Sequence, residues 1–109
     1  MTLGDLIDYA LTKPETEETL PFGLDVLVLK TKGKSFLLIP LNSDPVQFNA
    51  KCDPEKALQL RESYEGILPG YHMNKKHWNT ILLDGSVPDK LIRELIDHSY
   101  ELIRSKKSK

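Results

Sequence analysis

Two apolar runs separated by a short polar turn occupy residues 24–41, with the sequence LDVLVLKTKGKSFLLIPL. Leu24 to Thr31 is rich in valine and leucine, and Ser35 to Leu41 resumes the apolar pattern, as is typical of strands. Between them, Lys32-Gly33 offers a glycine that tolerates a positive φ. The stretch predicts a β-hairpin with a lysine-rich tip. The lysines of this first tip recur at every second residue: Lys30, Lys32 and Lys34.

A third strand and a helix are predicted directly after the hairpin. Apolar residues at positions 46, 48 and 50 alternate with Gln47, Asn49 and Lys51. The strand Val46–Lys51 is therefore expected to place the first set in the core and the second set in water. Asp53-Pro54 supplies an N-cap followed by a proline at the first helical position, and Gly66 ends the helix.

A second hairpin follows this helix. Ile67 to Met73 contains Pro69-Gly70 and is expected to be an irregular strand. His77 to Leu83 combines aromatic and β-branched residues and is expected to be the better return strand. The tip between them carries a cluster of polar and basic residues with one tryptophan: His72, Asn74, Lys75, Lys76, His77 and Trp78.

Helices are predicted at both ends of the chain. Thr2 and Asp5 have the spacing of a capping box, which predicts a helix over Thr2 to Leu11. Ser86 is expected to cap a final helix with an apolar stripe about 17 residues long. The acidic segment Glu15 to Thr19 is expected to be a surface loop, and the basic tail 104–109 is expected to fray.

The predicted order is α-β-β-β-α-β-β-α, which indicates an α+β protein with an antiparallel sheet and helices on one face. The 109 residues fit a single domain, and 39% hydrophobic with 28% charged residues is a globular composition. No apolar run approaches the roughly 20 residues that span a bilayer, and no secretory signal is visible. A cytoplasmic protein without a membrane partner is expected.

Ordinary metal and catalytic patterns do not appear. The single cysteine, Cys52, forms neither an internal disulfide nor a cysteine zinc framework. His72, His77 and His98 match no standard metal-ligand spacing. Cys52 precedes the helix cap at Asp53, where a helix N-terminus can lower a thiol pKa, but no partner base is identifiable. We expect no metal, no cofactor and no enzymatic activity.

Charge is unevenly distributed along the chain, although the net charge is only −1. Residues 1–29 carry six acids against one lysine, a net of −5. From residue 30 onward there are 14 bases and 10 acids, a net of +4. The pattern indicates either ordinary segregation on a solvated surface or an acidic pole and a basic working face.

Three segments carry a resemblance to a known family. They are Pro21-Phe22-Gly23 with Lys34-Ser35-Phe36, the run from Pro69 to Thr80, and Val87-Pro88-Asp89 through the Ser99-Tyr100 pair. On these residues the chain resembles the MmcQ/YjbR family of small bacterial proteins. The resemblance implies an α-β(3)-α-β(2)-α fold of the secretion-chaperone and frataxin-like type. It also implies DNA binding through two hairpin wings.

Two functions follow as hypotheses. In the first, the lysines of both tips contact DNA phosphates, Asn74 and Asn79 reach base edges, and Trp78 stacks if it is exposed. The blander interpretation is that the lysines solvate the turns and that Trp78 lies in the core, which is where we expect it. The second hypothesis is a protein-interaction module with a chaperone-like fold and no nucleic-acid partner, which presents a sheet face or a dimer groove; a contiguous exposed apolar patch would support it. Either is compatible with a monomer or a weak dimer.

Overall fold

The structure, a computed structural model, describes residues 1–21, 23–70 and 73–105. Its helices and strands confirm the predicted α+β class and the predicted order, with one strand added. In chain order they are α1 (Leu3–Leu11), β1 (Thr16–Thr19), β2 (Val26–Thr31), β3 (Lys34–Pro40), β4 (Gln47–Lys51), α2 (Pro54–Ser63), β5 (Ile67–Pro69), β6 (Trp78–Leu82) and α3 (Asp89–Ser105).

The six strands form one antiparallel sheet in the order β1-β2-β3-β4-β6-β5. The predicted hairpin of β2 and β3 is present, and its turn residues Lys32 and Gly33 have φ angles of 54° and 77°. Two consecutive residues with positive φ are typical of the two-residue turns whose twist matches that of the flanking strands. Gly33 therefore makes the tight tip possible.

The acidic segment Glu15 to Thr19 is a strand for most of its length, so the prediction of a surface loop is wrong. Thr16–Thr19 pairs antiparallel with β2, and Thr16 lies opposite Thr31. This strand lies at the edge of the sheet. Its backbone pairs with β2 while its side chains stay largely in solvent, so it shows no apolar alternation. Its exposed glutamates discourage pairing with another chain at this edge.

All three helices pack on one face of the sheet, as predicted. Buried residues from α1, α2, α3 and the strands form a single core. The core includes Leu6, Ala10, Leu27, Leu29, Phe36, Leu37, Ile39, Phe48, Ala50, Ala57, Leu60, Ile67, Ile81, Ile92, Leu95, Ile96, Tyr100 and Ile103. The three helices of the described residues all contribute to this core, and we call the opposite face of the sheet the open face.

A bulge in β3 adds an aromatic ring to this core. Leu29 pairs with Leu37 while the next residue, Lys30, pairs with Ser35, so Phe36 is an extra residue on β3. A bulge of this kind re-aims side chains, and Phe36 and Leu37 are both fully buried. The Phe36 ring meets the Tyr100 ring edge-on, with centroids 5.3 Å apart.

Ser99 of α3 fastens this helix to the middle of the sheet. Its hydroxyl donates to the Phe36 carbonyl at 2.6 Å and accepts from the Lys51 amide at 3.0 Å. Ser99 is fully buried, and the two strands it joins, β3 and β4, share only two residue pairs. The hydroxyl therefore extends a short ladder beyond the point where backbone pairing stops.

Two further local predictions are wrong. Ser86 does not cap α3, because its hydroxyl donates to Asp84 at 2.6 Å and the helix begins three residues later, at Asp89. Asn49 is not in water but 7% exposed, since it accepts a hydrogen bond from the Thr80 hydroxyl on the neighbouring strand. Ser86 is engaged by a carboxylate two residues before it, whereas the partner of Asn49 lies 31 residues away on another strand.

We expect Ser99→Ala to lower the free energy of unfolding by about 2 kcal/mol or more, because two buried backbone groups lose their partner. Urea unfolding followed by circular dichroism measures the change. The matched control is Ser63→Ala at an exposed position of α2, expected to change stability by less than about 0.5 kcal/mol. Equal effects of the two substitutions would contradict the role given to Ser99.

Candidate functional site

The strand register places both hairpin tips at the same end of the sheet. Leu37 of β3 pairs with Ala50 of β4, so the start of β3, which follows the first tip, lies beside the end of β4. Lys51 then pairs with Trp78, which follows the second tip. Three strand spacings separate the tips, or roughly 14 Å. We call this region, residues 31–34, 51–53 and 74–78, the tip end.

The first tip is only partly free of acidic neighbours. Lys32 and Lys34 are exposed, and Lys30 is half-buried on the open face. Glu15 bonds to Arg104 at 2.6 Å, and this bond, with a smaller contribution from Lys32, lowers the pKa of the Glu15 carboxyl. One carboxylate therefore offsets part of the positive charge at this tip.

The second tip is a closed turn with two free lysines at its apex. The Asn74 carbonyl accepts from the amides of His77 and Trp78, and its side-chain oxygen accepts from the Lys76 amide at 2.9 Å. Lys75 and Lys76 are exposed. Neither forms an ion pair within the part of the chain that the structure describes. The candidate residue His72 lies outside the described residues.

Arg61 of α2 holds the second tip in place, and the sequence analysis did not single it out. Its guanidinium donates to the Asn79 side-chain oxygen at 2.7 Å, to the Trp78 carbonyl at 3.3 Å and to the Lys75 carbonyl. Asn79 in turn donates to the Ala57 carbonyl at 3.4 Å. A single arginine in a polar helix gives no sequence signal of such a role.

Asn79 does not reach a ligand, contrary to the hypothesis that it contacts base edges. It is 2% exposed and faces α2, because residues alternate along β6 and position 79 points to the helices. Asn74 stays at the second tip, where its side-chain oxygen is used within the turn. Asn74 and Asn79, predicted together to contact base edges, therefore have different roles: Asn74 closes the turn, and Asn79 links β6 to α2.

Trp78 lies on the open face, so the expectation that it belongs to the core is wrong. Its neighbours in sequence along β6, Asn79 and Ile81, point to the helices, which leaves positions 78, 80 and 82 on the other side. The ring is half-buried and lies outside the residue cluster that forms the core. Lys51 is its direct cross-strand partner.

A cleft of about 360 Å³ lies at the tip end beside the start of α2. Its lining residues are Lys51, Cys52, Asp53, Pro54, His77 and Leu102. Burial raises the pKa of the Cys52 thiol to about 11, so the thiol is protonated at neutral pH. Burial therefore outweighs the lowering considered for a helix N-terminus.

His98 of α3 supports the start of α2 behind this cleft. Its Nε2 accepts from the Asp53 amide at 3.2 Å, which requires the neutral ring. Burial, assisted by the positive charge of Lys56 and opposed by Asp53, lowers the pKa of His98 from its ordinary value of 6.5. Within the described residues, no group of three or more potential metal ligands lies together.

Protonation of His98 should destabilise the fold at mildly acidic pH. In the unfolded chain the ring titrates near 6.5, and in the folded chain it titrates lower, so the unfolded state binds more protons between the two values. We expect the free energy of unfolding to be constant well above pH 6.5 and to fall as pH drops through and below that value. Urea titrations at each pH measure it.

His98→Gln keeps an acceptor for the Asp53 amide and is expected to remove this dependence. The carboxylates with lowered pKa, Asp5, Glu15 and Asp84, have ordinary values of 3.8 to 4.5, so their effect begins at lower pH. An unchanged slope between pH 6.5 and 5 in the variant would exclude His98 as its source.

Arg61→Met should loosen the second tip without removing the apolar stem of the side chain. A hydrogen bond to a charged group contributes about 1.5–3 kcal/mol, but Arg61 is only half-buried and water replaces part of what its three bonds supply, so we expect a net loss of about 2 kcal/mol in stability. Faster amide hydrogen exchange at His77 and Trp78 should accompany it. Lys56→Met, at an exposed position of the same helix, is the control and should leave exchange at the tip unchanged.

The arrangement defines a class of small α+β proteins in which a six-stranded antiparallel sheet, covered by helices on one face, presents two lysine-bearing turns at one end. The chain matches the YjbR family model over residues 11–102. It therefore belongs to the YjbR family. No helix within the described residues is long and apolar enough to cross a membrane.

Bacterial relatives agree with this assignment. YjbR of Escherichia coli K12 is 33% identical over 101 residues, covering 93% of this chain and 86% of the relative. YbdF of Escherichia coli O157:H7 is 39% identical over 94 residues, covering 86% and 77%. Neither name assigns an activity.

Solved structures confirm the fold. The crystal structure of Deinococcus radiodurans protein DR2400, with a DUF419 domain, superposes with a TM-score of 0.92 at 39% identity, covering 99% of this chain and 82% of that one. A crystal structure of a Pseudomonas syringae protein gives a TM-score of 0.82 at 34% identity, covering 94% and 98%.

Proposed function

We propose that this protein binds DNA weakly and with little sequence preference, using the lysines of the tip end. The observation that carries the proposal is the register, which brings two turns distant along the chain to the same end of one sheet. Lysine ammonium groups act as mobile point charges toward phosphate oxygens. Their contacts carry no sequence information, which accounts for a weak preference.

The net charge of −1 does not oppose this function, because Asp53 is the one acid within the tip end, and Glu15 beside the first tip is paired with Arg104. Glu17 and Glu18 lie on β1, the sheet edge farthest from β5 and β6, and Asp5 and Asp8 lie on α1. Screening at physiological salt limits their reach to about 8 Å. The second tip, at the other side of the sheet, therefore acts on a phosphate mainly through its own lysines.

The alternative, a protein-interaction module, is less well supported by the open face. Apolar residues there, such as Val28 and Leu38, share a row across the sheet with Thr19, Asn49 and Thr80. Polar interruptions of this kind break the continuous apolar area that a protein partner buries. The charge at the tip end favours a phosphate-bearing ligand.

Substituting Lys75→Glu together with Lys76→Glu tests the proposal. Labelled 20-nucleotide DNA, single-stranded and as a duplex, is titrated by fluorescence anisotropy at 50 mM salt and above. With about five phosphates neutralised, log affinity for duplex should fall with log salt at a slope near −4.5. We expect the double variant to lose at least tenfold in affinity, with a slope shallower by about 2.

A matched double variant separates the position of the charge from its amount. Lys90→Glu with Arg93→Glu changes the net charge equally at two exposed positions near the start of α3. These positions precede Ser99 by six to nine residues, or roughly 9–14 Å along the helix, away from the tip end. The control should bind nearly as the parent protein does. Equal losses in both variants, or no binding to either DNA at 50 mM salt, would reject the proposal.

A further inference from the structure

We infer that the preferred ligand is an unpaired nucleic-acid strand, with one base stacked on Trp78 at the open face. The inference depends on the proposed function and names the form of nucleic acid that the same site takes. Four features carry it: the face on which the ring lies, its rigid support, the neighbouring lysines and the width of the sheet.

Trp78 combines an aromatic ring with a positive neighbour on the open face. The ring is half-buried on the open face, and Lys51 lies directly across from it on β4. Directly paired residues of an antiparallel sheet have Cβ atoms about 4.5–5.5 Å apart, so ring and ammonium serve one nucleotide. A base can stack on such a ring while its phosphate meets the lysine.

The backbone at Trp78 is held by two hydrogen bonds, which fixes the point from which the ring projects. Its carbonyl accepts from Arg61 at 3.3 Å and from the Gly70 amide at 2.9 Å. Gly70 approaches so closely that a Cβ there would lie 2.8 Å from the Trp78 Cβ. A side chain whose backbone is already ordered loses less entropy when a ligand binds.

Further positive charge continues across the same face. Lys30 of β2 is on the open face, because its neighbour Thr31 points to α3 and accepts from Arg104. From Trp78 to Lys30 the path crosses three strand spacings, or roughly 14 Å, and passes Lys51. Glu17 lies opposite Lys30 on β1 and ends the positive path.

A duplex can contact the lysines of the tip end but offers no unpaired base to stack on Trp78. Base faces are available for stacking only where bases are unpaired, since a duplex exposes only base edges in its grooves. The major groove admits a helix or a two-stranded ribbon, whereas this sheet has six strands and spans about 24 Å. Trp78 also follows Lys75 and Lys76 in the turn, so the lysines meet a duplex backbone before the ring does.

The single tryptophan of the chain reports on its own site. Intrinsic fluorescence and anisotropy are measured with a 20-nucleotide mixed-sequence single-stranded DNA, the RNA of the same sequence and the DNA duplex, all at 50 mM salt. We expect each single strand to quench the fluorescence and to bind at least tenfold more tightly than the duplex. The comparison of the two single strands tells whether the sugar matters.

Variants at position 78 separate stacking from folding. Trp78→Leu removes the ring but keeps an apolar side chain, and it should weaken single-strand binding about fivefold or more while leaving duplex binding unchanged. Trp78→Phe retains a ring and should recover most of the affinity. Thermal unfolding of each variant verifies that the fold is intact. If the Leu variant is unstable, the fluorescence change of the parent protein and its ratio of single-strand to duplex affinity decide the inference.

The outcomes distinguish this inference from the function beneath it. Equal affinity for single strand and duplex, with unchanged fluorescence, overturns the inference and leaves lysine-based DNA binding standing. The same holds if Trp78→Leu and the parent protein bind single strands equally. Absence of binding to all three probes overturns both proposals, and a protein partner for the open face then becomes the hypothesis to test.

Discussion

The structure depends on a narrow seam in the middle of its sheet. The β3–β4 ladder has two residue pairs, whereas β2–β3 has six and β4–β6 has five. Ser99 lies at the end of this seam and bonds both strands through one buried hydroxyl. The first tip belongs to β2 and β3 on one side of the seam, and the second tip belongs to β5 and β6 on the other side. Their relative position, and any ligand that contacts both, depends on this bridge.

Charge placement explains how a slightly acidic chain can present a basic surface. The acids of residues 1–29 lie largely on α1 and β1, and Glu15 and Asp97 are engaged by Arg104 and Lys13. These contacts tie the acidic segment to α3, while the second tip projects at the far side of the sheet. Segregation along the sequence thus becomes segregation in space, because α1 and β1 pack as neighbours at one edge.

Sequence patterns predicted most elements because their signals are local. The capping box of Thr2 and Asp5, the proline after Asp53 and the Lys32-Gly33 turn each involve residues within four positions of one another. Errors arose where the partner is remote or unpredictable. Residues Thr16–Thr19 form a strand because they pair with the free edge of β2. Trp78 is outside the core because side chains alternate along β6 and that of Asn79 points to the helices.

By itself, the sequence determined the α+β class, the two lysine-bearing turns and the family to which the chain belongs, since periodicity, turn residues and motifs are carried by neighbouring residues. Only the tertiary structure decided that both turns share one end of the sheet, that Arg61 anchors the second, and that Trp78 faces away from the helices. Each of these depends on strand order and on register between segments distant along the chain. Such pairings follow from how the whole core is buried, and a local stretch of residues contains no record of them.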